Sequence, residues 1–281
     1  MTLTKQVIAL KKIDAVIIYT VLSIMTIIVI IPFLWMTSTA FKPQKQTFKF
    51  PPEWIPAPFT WDNFARVWNE MPFGHYILNT IFITLVILIG QLLFSSMAAY
   101  SFSRLEFPGR NLIFVIFIGS LMIPEIVTMI PQYLIMRELG WLNTFKAITT
   151  PQMFGNAFGV FLLRQYLIGI PKELDEAAKI DGSGIIRTFT TIILPLTKPA
   201  LSTLAVFTLV KSWNSFLWPL VVTTSQQKFV LTIGLANLNG QYSADWAAIM
   251  AASFIALLPI IVLFAFFQRF FIQSIQMSGL K

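Results

Sequence analysis

The chain contains no cysteine and a single histidine, His75. That removes disulfide scaffolds, thiol catalysis and the Cys- and His-rich clusters that hold structural zinc or iron–sulfur centres. Charge is scarce as well: Asp, Glu, Lys and Arg make up 11% of the 281 residues, against about 25% in ordinary globular domains. So few charges leave a soluble body of this size with large apolar patches in water. No Gly-x-x-x-x-Gly-Lys-Ser/Thr run occurs, so the chain does not cradle nucleotide phosphates by that route. Apolar material is abundant instead, with 56% hydrophobic residues, 27 Phe, 8 Trp and a mean hydropathy of +0.75. That excludes disorder and places the bulk of the chain in a bilayer, as an all-α polytopic membrane protein.

A spanning helix needs about 20 mostly apolar residues, because the hydrocarbon core is roughly 30 Å thick. Residues 15–40, 76–103 and 246–268 carry no charge, residues 111–136 only Glu125, and residues 147–163 none. Residues 199–227 carry only Lys211 and are expected to stop as helix near Trp218-Pro219, where the proline ring breaks the hydrogen-bond ladder. Six spans are predicted, which puts both termini on one side. With that side cytoplasmic, twelve of the twenty Lys and Arg lie inside, the sign favoured by the positive-inside rule. Lys42, Lys45, Lys49 and Arg66 soften the contrast in the first outer loop. The net charge of +8 is scattered between apolar runs rather than gathered into a nucleic-acid patch. The expected layout is one transmembrane domain over 1–281: a first span at 15–38, an outer strap at 41–74, a five-span core at 75–270 and a cytoplasmic tail at 271–281. The strap, rich in Pro and aromatics, reads as an extended segment at the membrane interface.

The most informative stretch joins spans four and five and reads Gly-Ile-Pro-Lys-Glu-Leu-Asp-Glu-Ala-Ala-Lys-Ile-Asp-Gly-Ser-Gly from Gly169 to Gly184. Pro171 suits a first helical position, and Glu173, Asp175 and Glu176 suit the positive end of a helix dipole. Gly182 and Gly184 can take the positive φ that ends a helix. A helix of about ten residues follows, with a low apolar face of Leu174, Ala177, Ala178 and Ile180 rimmed by acids. Such a face seats in a groove with basic walls; a solvated connector has the same composition.

Glu176-Ala177-Ala178, followed by Gly182 and by Ile192 with Leu194-Pro195, resembles the EAA loop of ABC importer permeases. The resemblance extends to the sugar-uptake branch of that family, the maltose-type second permease. It is carried by Pro32-Phe33-Leu34-Trp35, Ala40-Phe41-Lys42, Ala99-Tyr100-Ser101, and Arg104-Leu105-Glu106-Phe107-Pro108-Gly109-Arg110. Ile123-Pro124, Ile130-Pro131, Phe161 to Gln165, Lys198-Pro199-Ala200, Trp213-Asn214 and Gln268-Arg269-Phe270-Phe271 continue it. The chain departs from the family at Ser215, where an acid is common.

This resemblance implies a type I ABC importer permease fold, with the EAA helix docking into a cytoplasmic ATPase. ATPase coupling would then fall to Glu176, Ala177, Ala178, Asp181, Gly182, Leu194 and Pro195. The implied partners are a dimer of ABC ATPase subunits carrying ATP and Mg, a second homologous permease, an extracytoplasmic sugar-binding protein and membrane lipid, with no nucleic acid. The chain itself would hold no cofactor, no metal and no catalytic group, and would sit in a bacterial cytoplasmic membrane. Residues 221–245 read as an outer loop, which in the family contacts the binding protein. The tail from Gln273 would approach the ATPase interface.

Other residues carry weaker signals. Lys211, Trp213 and Asn214 form a polar cluster that faces the bundle interior, either lining a translocation path or bonding a neighbouring helix. Glu125 lies in a run where an intramembrane carboxylate is functional by default, although Pro124 beside it places it near a breaking helix end. His75 carries no catalytic or metal role. An ion-coupled secondary transporter is the alternative function; it calls for inverted repeats and coupling acids, of which Glu125 is the single candidate. An intramembrane enzyme would need a Ser/His pair, a carboxylate pair or a metal cluster, and none is evident.

Overall fold

The computed structural model describes residues 2–241 and 245–278, which form helices and connecting loops with no strand among them. The chain divides into two compact units, Met1–Met71 with Asn237–Leu257, and Pro72–Ala236 with Leu258–Lys281.

In the first unit, helix α1 (Thr2–Ala40) contains the stretch Asp14–Ala40, which is long and apolar enough to cross a membrane. Its side chains from Val16 to Leu34 are exposed nearly all round, an arrangement that suits a helix whose solvent is hydrocarbon. The strap is fastened to its end. The Phe41 ring stacks on Phe59 at 4.5 Å and meets Trp61, Phe64 and Phe254 edge-on or tilted. Trp35 packs edge-to-face on Trp54 at 5.1 Å, and the buried Lys42 ammonium lies 4.1 Å above the Trp35 ring.

The strap, expected to be extended, is irregular as far as Trp61, with a 3-10 turn at Gln44–Gln46. Helix α2 (Asp62–Glu70) then follows, burying Asn63 and Val67. The Asn63 carboxamide donates to the carbonyls of Ala40 and Lys42, at 2.7 and 2.8 Å. Arg66 donates to Asn63 Oδ1 and pairs with Asp245. Asp245 also accepts from the Ala248 amide at 3.1 Å, closing the first turn of the last helix, α14 (Trp246–Ser278). Two of the cations that blurred the charge asymmetry, Lys42 and Arg66, are thus held inside the strap.

The second unit is built around α3 (Phe73–Arg104), the other helix long and apolar enough to cross a membrane alone. Its buried stripe runs Tyr76, Thr80, Ile83, Thr84, Ile87, Gln91, Ser95 and Ala99, spaced at helical period and rich in small and hydroxyl side chains. Helices that meet in lipid approach closely through such residues. Helices α4 (Arg110–Gly119), α5 (Glu125–Glu138), α6 (Phe145–Met153) and α7 (Ala157–Ile168) follow, then α8 (Glu173–Ile180) and α9 (Ile185–Thr188). A π-helical turn at Phe189–Ile193 leads into α10 (Leu194–Leu196), α11 (Lys198–Trp213), α12 (Leu217–Val222), α13 (Leu231–Gln241) and α14 (Trp246–Ser278). Helix α3 packs against α6, α7 and α11. A Cβ on Gly90 would stand 2.6 Å from the Met153 carbonyl oxygen, so α3 meets the end of α6 backbone to backbone.

The expected span at 111–136 is broken rather than straight, and two further bends lie just outside the expected spans 147–163 and 199–227, on either side of the loop between them. Arg110–Met122 and Glu125–Glu138 meet at 103°, Phe145–Ile168 and Glu173–Ile180 at 78°, and Ile185–Leu196 and Lys198–Trp213 at 77°. The physical reason is proline. Pro124 forces Ile123 out of the helical region to φ −87°, ψ 116°. Pro199 stands in the first turn of α11, where a missing N–H costs nothing, whereas Pro171, expected at the first position of α8, lies ahead of its N-cap Lys172. A second departure is the polar stretch after Thr223, which reads as loop but folds into α13, with Leu231, Ile233 and Leu238 buried. Thr80 Oγ1 accepts from the Leu231 amide at 2.8 Å, and Gly234 lies directly against the Tyr76 ring. Tyr242 and Lys281 lie outside the described residues.

Candidate functional site

Helix α8 opens with Glu173, Asp175 and Glu176 in its first turn and Lys179 in its last, each charge matched to the dipole end it occupies. It closes on a full Schellman turn. The Ser183 amide donates to the Ala178 carbonyl at 2.8 Å, and the Gly182 amide to that of Lys179 at 3.0 Å. Gly182 carries φ +76°, the left-handed geometry that this turn requires; a Cβ there would touch nothing, so the demand on glycine is purely conformational.

One side of α8 is fixed to its own chain. Ala178 is buried, and Asp175 stands 3.4 Å from Arg104 Nε at the end of α3, with both side chains largely shielded from solvent. Arg104 also donates to the carbonyls of Leu167 and Ile170, at 3.0 and 2.7 Å, capping α7 just before the bend. One guanidinium therefore ties together the ends of α3 and α7 and the start of α8. The opposite side is free: Glu176, Ala177 and Asp181 are exposed, and Ile180 is 86% exposed. The sequence placed Ala177 and Ala178 on one outward face, but the fold turns Ala178 inward. Leu194 and Pro195 lie further along, where the π-helical turn absorbs the carbonyl clash of a proline inside a helix.

A second feature lies entirely within the second unit. A cavity of about 560 Å³ opens between α3, α5, α11 and the break between α6 and α7. Gln91, Gln132, Gln152, Asn156 and Asn214 line it with carboxamides, and Thr128, Thr208, Ser212 and Ser215 with hydroxyls. The break that forms one wall is sequence-encoded. Gly155 adopts φ +81° beside Ser95, and Asn156 caps α7 by accepting from the Gly159 amide at 2.7 Å. The Gln91 carboxamide bridges the gap, donating to the Gln152 carbonyl and accepting from the Asn156 amide.

Lys211 and Asn214 line this cavity, whereas Trp213 is buried and does not. Trp218 takes the wall position instead, its indole donating to the Ala147 carbonyl at 3.0 Å. Glu125, which the sequence left between structure and function, reaches the cavity and pairs with Lys211. Gln91, Gln152 and Asn156 carried no sequence signal beyond being amides in apolar runs. His75 is exposed, and among the described residues no cluster of His, Cys, Asp or Glu is arranged to hold a metal.

Lipid-compatible helices that leave a polar recess for a solute, with a capped acidic helix held at one bend, define a membrane transport permease. The chain belongs to the family of binding-protein-dependent transport system inner membrane components, which matches residues 91–277. It is 37% identical to the arabinooligosaccharides transport system permease protein AraQ of Halalkalibacterium halodurans, covering 90% of this chain and 92% of that one. It is 32% identical to the diacetylchitobiose uptake system permease protein NgcG of Streptomyces coelicolor, over 89% and 84% of the two chains. Its fold matches a bacterial ABC transporter involved in import of the acidic polysaccharide alginate, with TM-score 0.82, 23% identity, and 92% and 97% of the chains covered. These relatives are transport subunits rather than enzymes.

Proposed function

We propose that this chain is the permease subunit of an ATP-driven importer of di- or oligosaccharides, passing force from partner ATPase subunits to its own helices. In this reading the chain crosses the membrane six times with both termini in the cytoplasm. Helices α4 and α5 together serve as the third crossing, α6 and α7 as the fourth, α11 and α12 as the fifth and α14 as the sixth, with α8 left in the cytoplasm. It works beside a second homologous permease and receives sugar from an extracytoplasmic binding protein. The ATPases carry ATP and Mg, and this chain carries neither.

The observation that carries the reading is the two-sidedness of α8. Its inner side is fastened by Ala178 and the Asp175–Arg104 pair, while Glu176, Ala177 and Ile180 face away. An almost fully exposed Ile beside an acid and a flat alanine is a grip for a partner groove with a basic wall. When two ATPase subunits close on ATP, a helix anchored this way cannot slide independently; it carries α3 and α7 with it and shifts access from one membrane face to the other. Asp181, Gly182, Leu194 and Pro195 shape the turn and the bend through which that stroke passes, and the cavity holding Lys211 and Asn214 lies on the solute's path.

The test uses the absence of native cysteine. Ala177→Cys places a single thiol on the exposed side of α8. In membranes expressing the whole transporter it should cross-link to an ATPase subunit, and Glu176→Lys should leave the complex inserted while abolishing sugar-stimulated ATP hydrolysis. Capture of no nucleotidase, or ATP-independent uptake by the chain alone, would refute the proposal.

A further inference from the structure

The cavity lining holds one cation and one anion, Lys211 and Glu125, and they are paired with each other. We infer that this chain's face of the cavity selects uncharged oligosaccharides over anionic ones, because its only lining cation is neutralised from within. The inference rests on the sugar-permease reading and narrows it.

The pairing is a product of the fold. The two residues are 86 positions apart in sequence. The break at Pro124 makes Glu125 the first residue of α5, at the positive end of that helix, while Lys211 lies in the last turn of α11, at the negative end. Each charge is therefore favoured where it stands by the backbone dipole as well as by its partner. The pair is held in place without a ligand.

An anionic sugar leaving water for this recess needs an unpaired cation or a converging set of N–H donors to replace its hydration. Lys211 is engaged, and the carboxamide of Gln91 is spent on holding the break between α6 and α7. What remains is a mix of hydroxyl and amide groups that donate and accept equally, the complement of a sugar's own hydroxyls. Ile87, Met129 and Trp218 supply apolar wall for its C–H faces. The volume falls in the range of about 300–1,000 Å³ usual for small-molecule sites.

Breaking the pair from one side should convert the recess into an anion acceptor. The test uses the assembled complex of this chain, its second permease and its ATPases in nanodiscs, without the binding protein, so that the permease alone is read. Arabinotriose, maltotriose and trigalacturonate are titrated calorimetrically. Wild type should prefer a neutral trisaccharide. Glu125→Gln should tighten trigalacturonate binding by roughly tenfold at low salt while neutral binding moves less than about twofold. Glu125→Asp should keep the wild-type preference, and Glu125→Gln with Lys211→Gln should restore it. Intact assembly of each variant is verified by co-elution of its subunits. Unchanged charge preference in Glu125→Gln, or wild-type preference for trigalacturonate, overturns the inference while leaving the sugar permease standing. A complex that binds none of the three, and that takes up none of them with ATP when reconstituted in proteoliposomes together with its binding protein, overturns both.

Discussion

Arg104, the last residue of α3, lies against Asp175 on α8 through its Nε while its Nη2 caps the carbonyls of both Leu167 and Ile170. Three helix ends meet at one guanidinium. Planar, multidentate geometry of this kind is beyond lysine, and a largely buried charge left without its partner is costly, about 3–5 kcal/mol.

The two partners should therefore differ on substitution. Asp175→Asn removes the charge but keeps the size and shape of the side chain, whereas Arg104→Gln also uncaps α7. Amide hydrogen exchange in α8 should rise in both variants and more in Arg104→Gln, with sugar-stimulated ATPase activity falling in the same order. Equal effects would mean that the carbonyl caps contribute nothing.

Gly182 holds its turn by φ alone. An L-residue in the left-handed region costs about 1–2 kcal/mol, and least for Asn. Transport by Gly182→Asn should exceed that of Gly182→Ala, with Gly182→Val lowest, since β-branching adds strain at positive φ. A flat series in a transport assay would show that the turn tolerates another geometry.

Gly90 and Gly119 form a matched pair. A Cβ on Gly90 collides with Met153, while one on Gly119 meets nothing within 4 Å. Gly90→Ala should lower thermal stability in detergent by about 1–3 kcal/mol, the range for overpacking. Gly119→Ala should be neutral or stabilise by up to about 1 kcal/mol through backbone entropy.

Lys42, beyond the end of α1, is buried, and burial pulls its ammonium below the usual lysine range, an effect that Glu53 partly opposes. The folded strap thus holds fewer protons than the unfolded chain between the lowered value and the ordinary 10.5. Stability should rise with pH across that window and be lost as pH falls through the lowered value. Melting curves over that alkaline range should show the slope in wild type and lose it in Lys42→Met.

Glu125 and Lys211 carry the opposite expectation. Both side chains are mostly exposed, and such pairs contribute about 0.2–1 kcal/mol. A double-mutant cycle on thermal stability should return a coupling within that range, so any large change in sugar preference would be a property of the cavity and not of folding.

Much was legible in the linear order of residues. Apolar runs of bilayer length announce a membrane protein because hydrocarbon penalises charge one residue at a time. The cap of α8 is equally local: acids in its first turn, Lys179 in its last and Gly182 after it need no distant partner. Prolines 124, 171 and 199 also mark the three bends, yet their angles depend on what each arm packs against. Pairings across long separations were invisible: Arg104 with Asp175, Arg66 with Asp245, Glu125 with Lys211. So was the inward turn of Ala178, which shares its neighbour's chemistry and differs only in the direction it faces. Composition and short-range spacing act within a helical turn or across a span, so a single chain displays them openly. Which charge meets which, and which side of a helix is covered, follows from how whole helices pack, and that was settled in three dimensions.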